Sequence, residues 1–131
     1  MRINRFVLDT NIWISYFITK SESKLIDIVT EHKITFFCCD ELLAELRQVI
    51  TYPHLKKYQI NLPHAISFIR SLSVFVILTY PIKRYIPEDE NDDYIIALAL
   101  QTNSGFITSG DSHILSEKSN LEKNIKTENY Y

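Results

Sequence analysis

Phe6-Val7-Leu8-Asp9-Thr10-Asn11 is a short apolar run that stops abruptly on a carboxylate. Its apolar residues are continuous rather than alternating, so the strand it predicts must be covered on both faces. Similar runs, rich in β-branched and aromatic residues, occur at Ile34 to Cys39, Val74 to Thr79 and Phe106 to Thr108. Helical patterns lie between and after them, at about Asn11 to Phe17, Ser23 to His32, Asp40 to Ile50, Pro63 to Leu72, Asp92 to Thr102 and Asp111 to Lys118. A βαβα alternation of this kind predicts a three-layer α/β/α sandwich around a central parallel sheet of four to five strands, with right-handed crossovers. The fifth strand would have to come from the Lys-, Asn- and Glu-rich tail after Leu121, where the pattern is weak. The helix at Asp92 to Thr102 is apolar almost all round and is expected to be the most buried.

Composition narrows the class. The chain has 131 residues, 46% hydrophobic and 23% charged, enough for one core. No repeat, low-complexity tract or linker divides it, so residues 1–131 read as a single domain. Lys and Arg total 14 against 16 Asp and Glu, a formal charge of −2, so no global basic field points to nucleic acid. With 2 glycines, Gly-rich phosphate loops cannot be built, which excludes Walker-type ATPases and Rossmann dehydrogenases. Cys38 and Cys39 are adjacent in an apolar run and read as buried thiols rather than a disulfide or metal pair. The longest uninterrupted apolar stretch is Ile95 to Leu100, far short of the ~20 residues that span a bilayer. Asp9 and Asn11 interrupt what would be a signal-peptide core. A soluble, cytoplasmic protein without a membrane partner is expected.

The placement of acids carries the functional reading. In open parallel sheets, sites form at the carboxyl ends of the strands. Asp9 ends the first strand, Glu45 lies about a turn into the helix after the second, Asp93 opens the helix after the third, and Asp111 follows the fourth in Thr108-Ser109-Gly110-Asp111. Helical phase puts Glu45 at the margin of the Leu42-Leu46-Ile50 face and Glu41 further towards solvent. Asp93 stacks over Ile96, Ala97 and Leu100, which favours it over Asp92, better placed as a cap. Converging carboxylates without bases repel one another and would hold raised pKa values. A hard divalent cation, Mg²⁺ or Mn²⁺, removes that penalty, activates water and offsets charge on a phosphodiester. Asp9, Glu45, Asp93 and Asp111 are then ligands or orienters of metal-bound water, with Asn11, Ser109 and Asp92 in supporting or substrate positions.

These motifs resemble a known family. Val7-Leu8-Asp9-Thr10-Asn11, Glu41-Leu42-Leu43-Ala44-Glu45-Leu46, Asp92-Asp93-Tyr94-Ile95-Ile96-Ala97-Leu98-Ala99 and Thr108-Ser109-Gly110-Asp111 look like the four acidic motifs of PIN domains, in the family's order. The resemblance is nearest to the toxin branch of toxin–antitoxin systems, related to VapC-type toxins. It implies a Mg²⁺/Mn²⁺-dependent endoribonuclease cutting single-stranded or looped RNA, with Asp9, Glu45, Asp93 and Asp111 as its acidic site. A cognate antitoxin and a second copy of the chain are the partners it implies. The weak final strand departs from the family's pattern.

Each acid also has a structural reading. Asp40, Asp92 and Asp111 precede helices, where an Asp N-cap is commonplace, and Asp93 and Glu45 suit a helix's first turns. Asp9 could cap the helix that begins near Asn11. Capping does not require four acids on one edge, and the joint pattern therefore outweighs the separate readings. Within Glu88-Asp89-Glu90-Asn91-Asp92-Asp93, most of the acids read as a solvated loop, with Asp93 the expected ligand and Asp89 and Asp92 in reserve. Arg47, Lys56-Lys57 and Lys83-Arg84 are candidate phosphate contacts, with Tyr52, Tyr58 and Tyr85 as stacking surfaces, against the commoner reading of plain surface. His113 reads as an exposed helix-start residue, and Trp13 and Phe17 as core. Two rival functions stand beside the nuclease. One is a catalytically inactive module that binds RNA or protein. The other is a phosphoryl-transfer domain, against which Asn11 stands where a dehalogenase-type enzyme needs a second Asp.

Overall fold

The computed structural model describes residues 4–80 and 93–107, with Asp93, Phe106 and Ile107 described by backbone alone. The elements run β1 (Arg5–Leu8), α1 (Thr10–Ile18), α2 (Glu22–His32), β2 (Thr35–Cys38), α3 (Asp40–Val49), α4 (Pro53–Lys56), α5 (Leu62–Leu72), β3 (Ser73–Phe75), α6 (Asp93–Thr102) and β4 (Gly105–Ile107). The strands form one sheet in the order β3-β2-β1-β4, every neighbouring pair parallel. An α/β fold on a parallel sheet is therefore present. The fifth strand and the helix expected at Asp111 to Lys118 lie outside the described residues. Among the described residues no helix is long and apolar enough to cross a membrane.

The order of the strands positions the site. The chain steps from β1 to β2 to β3 in one direction, then crosses back to place β4 on the far side of β1. Such a reversal opens a crevice at the carboxyl ends of the strands on either side of it. Here that point lies between β1, which ends at Leu8, and β4, paired through Leu8 with Ile107. Helix α6, on the returning connection, packs against β1, β2 and β4, while α5 packs against β2 and β3.

Burial explains the elements. Phe6, Val7 and Leu8 of β1 and Phe36 and Cys38 of β2 are essentially inaccessible, as central strands require. Trp13 of α1 meets Phe36 and Phe68 edge-on at 5.6 and 6.3 Å, and Phe17 meets Phe68 at 5.8 Å, so both aromatics are core. Helix α1 buries seven of its nine residues, Thr10 and Ile12 to Phe17. It, rather than α6, is the helix buried almost all round. In α6, Leu100 is half exposed and Ile96 partly so, whereas Tyr94, Ile95, Ala97 and Leu98 are buried. Of the apolar residues on the stripe expected to carry Asp93, Ala97 is buried, while Ile96 and Leu100 are more open.

Strand β3 is shorter than the run Val74 to Thr79 suggests. Its last paired residue is Phe75, opposite Cys38, and Val76 N–H still donates to the Cys38 carbonyl at 2.9 Å. Beyond that, β2 has already turned into α3, whose N-cap is Cys39, so nothing is left to pair with. Cys39 also takes the cap position expected of Asp40, which stands in the first turn instead. Helix α4, with Pro53 at its start, is absent from the sequence reading because its 4 residues are too few for a period to show.

Candidate active site

Asp9 follows directly on β1 and is the N-cap of α1. Its carbonyl accepts from Ile12 and Trp13 N–H at 3.0 and 3.3 Å, and its Oδ1 accepts from Asn11 N–H at 3.4 Å. The capping reading of Asp9 is therefore correct, and it does not exhaust the carboxylate. An N-cap on a surface helix costs little to expose, yet Asp9 is 5% exposed, at the end of a strand whose last three residues are buried. Burial raises its pKa above the ordinary carboxylate range; the Asn11 amide opposes this rise and the nearby charge of Glu45 adds to it.

Glu45 reaches this point from α3, half-buried beside the Leu42-Leu43-Leu46 face. Thr10 Oγ1 lies 2.5 Å from Glu45 Oε1 and 3.3 Å from Asp9 Oδ1, a hydroxyl set between two carboxylates. Its single proton favours Glu45, the shorter contact. Tyr94, the second residue of α6, donates its hydroxyl to the same Oε1. The Tyr94 phenol is buried, and that burial, reinforced by the Glu45 charge and hydrogen bond, raises its pKa and keeps it a donor. Glu45 thus sits where α1, α3 and α6 meet. Glu41 is half-buried too, contrary to its expected solvent position, and it faces the Cys39 thiol at the start of its own helix.

Of the residues singled out by sequence, the structure brings Asp9 and Glu45 together. Asp93 opens α6, one residue from Tyr94, by its backbone. Asn11 contributes its N–H to Asp9 while its side chain is exposed. Asp92, Ser109 and Asp111 lie outside the described residues, as do Lys83, Arg84, Tyr85 and His113. Among the described residues no group of three or more His, Cys, Asp or Glu gathers as a metal cluster. Arg47, Lys56 and Lys57 are exposed; Lys57 Nζ stands 5.2 Å from the centre of the exposed Tyr58 ring, and Tyr52 lies 6.1 Å from His54. Burial pushes the Cys38 thiol up to about 11 and the Cys39 thiol up to about 12, which makes both inert at neutral pH.

Thr10 and Tyr94 are the members that sequence reasoning passed over. Thr10 lies inside the first motif, where the sequence reading gives it no role of its own. Tyr94 was absorbed into an apolar run, although a tyrosine among buried aliphatics needs a partner for its hydroxyl.

An acidic pair at the carboxyl edge of a parallel sheet, beside the point where the chain reverses direction, agrees with what the comparison with known families finds. The PIN domain model matches residues 5–113, and the chain belongs to that family. PIN domains are generally nucleases and usually bind divalent metal ions. Among curated proteins, the chain is 27% identical over 115 residues to uncharacterized protein MJ1680 of Methanocaldococcus jannaschii, covering 86% of this chain and 74% of that one. No solved structure matches the chain.

Proposed function

We propose that this chain is a metal-dependent endoribonuclease, with Mg²⁺ or Mn²⁺ held by Asp9, Glu45, Asp93 and Asp111, and that it acts as the toxin of a toxin–antitoxin pair in the cytoplasm. The observation that carries the reading is Asp9: a buried carboxylate that feels the charge of a second carboxylate, Glu45. Such an arrangement is costly in a metal-free protein and is relieved by a cation. The donor set is all oxygen, which suits a hard ion. When bound, that ion lowers the pKa of water and offsets charge on the phosphodiester. The protein's share is positional. The α1 N-terminus holds Asp9 through its Oδ1, and Thr10 holds Glu45 beside it. Asn11, Ser109 and Asp92 complete the supporting set, and Arg47, Lys56 and Lys57 supply phosphate contacts on the RNA. A three-layer sandwich with a further edge strand after residue 107, a cognate antitoxin and a homodimer belong to the same reading.

The decisive assay is cleavage of single-stranded and looped RNA by wild type and Asp9→Asn. Cleavage that EDTA abolishes, and that the variant loses by about a hundredfold or more, is expected from removing several kcal/mol of charge stabilisation. Cleavage that persists in EDTA and in the variant overturns the metal mechanism. Tight RNA binding without turnover in either metal means an inactive binding module. Growth arrest on expression of wild type, absent with Asp9→Asn, is the outcome expected of a toxin.

A further inference from the structure

Two hydroxyls from different helices end on one oxygen of Glu45. Thr10 reaches Oε1 from α1 and Tyr94 reaches it from α6. A carboxylate at mid-helix has several rotamers, and one hydrogen bond leaves it free to turn about the remaining torsions. Two donors fixed on the same oxygen, one from α1 and one from α6, restrict that rotation and leave Oε2 as the oxygen outside the pair. Tyr94 is itself held: it is buried with Ile95 and Leu98 on the core face of α6. Its neighbour in sequence is Asp93, so the phenol ties the helix that carries one candidate ligand to the side chain of another.

We propose that Tyr94 is a positioning residue for Glu45, fixing Oε1 so that Oε2 is presented to the divalent cation. The inference rests on the nuclease reading above, in which Glu45 is a ligand. Thr10 serves the same oxygen from next to Asp9, but Tyr94 is the member whose hydroxyl can be removed with the ring left in place. Partners of this kind, which orient a ligand without touching the metal, typically change metal affinity by about 10–100-fold when lost.

The test is a Mn²⁺ titration of the metal-free chain, followed by electron paramagnetic resonance of the free ion, for wild type, Tyr94→Phe and Leu98→Val. Leu98 is buried on the same helix and, being aliphatic, has no hydrogen bond to offer Glu45, so it reports on α6 packing. The expected result is Mn²⁺ binding weakened about 10–100-fold in Tyr94→Phe and unchanged in Leu98→Val, with the RNA cleavage rate falling in the former and its KM for RNA steady. Equal Mn²⁺ affinity in wild type and Tyr94→Phe overturns the positioning role while leaving the nuclease reading intact. So does an equal loss in Leu98→Val, since the effect then travels through helix packing. Absence of Mn²⁺ binding in wild type overturns the metal site itself and this role with it.

Discussion

At the end of β1, Val7, Leu8 and Asp9 are buried, and the backbone is shared among β2, β4 and the first turn of α1. At the end of β3, Val74 is 50% exposed and Ile77 is 75% exposed. There the chain is tied by a side chain: Gln101 of α6 accepts from Thr79 and Tyr80 N–H at 2.7 and 2.9 Å and donates to the Ile77 carbonyl at 2.9 Å. One strand end is held wholly within the core; the other packs on it only partly, through Phe75, Val76 and Leu78, and is tied by an amide reaching across from a helix. The difference bears on function, because an ionisable group can be kept in a costly environment only where its surroundings are over-determined. Asp9 stands at such a place, and the segment after β3 does not offer one.

The largest effect that could break this contrast is on stability. Leu8→Ala should cost about 2–5 kcal/mol in urea unfolding, whereas Ile77→Ala should fall within about 0.5 kcal/mol of wild type. Comparable losses at the two sites would mean that the β3 exit is part of the core.

Asp9 gives the next test. Burial sets its folded-state pKa above the ordinary carboxylate value of 3.8, so the native chain keeps the proton to higher pH than the unfolded chain does. Where the native state binds more protons, stability falls as pH rises; the loss begins near 3.8 and is complete above the raised pKa. Asn is as good an N-cap as Asp and carries no charge. Metal-free Asp9→Asn should therefore be more stable than wild type at pH 7, by on the order of 1 kcal/mol. The gap should close as pH is lowered towards 3.8, and thermal melts across that range would show it. A variant less stable than wild type at every pH would mean that the carboxylate is there for the fold.

The smallest effect sharpens the other end. Gln101→Ala removes three hydrogen bonds to an exposed segment, so amide exchange at Thr79 and Tyr80 should quicken by roughly tenfold while β1 amides keep their protection. Exchange that quickens equally in both strands would show that the two ends open as one unit.

Much of this was legible in the residues. The continuous run at Phe6 to Leu8 announced a covered strand, and Asp9 at its end stood out because an acid there has little packing use. Glu45 was reachable from the phase of α3, since the margin of an apolar face is where a helix meets its neighbours. Val74 to Thr79, as apolar as the other runs, gave no sign that most of it would lie outside the sheet. Nor did the phase of α6 show which side would face the core, because a helix apolar almost all round carries no preferred face. Tyr94 was invisible for the same reason, its hydroxyl mattering only once α3 had been brought alongside.

The sequence by itself determined the local alternation of strands and helices, the parallel class of the sheet, and the acids that end or open each element. Those follow from the period of apolar residues and from where each run stops, which are properties of neighbours along the chain. The tertiary structure decided the strand order, which made β1 central and β3 an edge. It also decided the meeting of Asp9, Thr10, Glu45 and Tyr94 around two carboxylate oxygens. Both depend on contacts between residues as far apart as Thr10 and Tyr94, and the packing of whole elements fixes such contacts after local pattern has had its say.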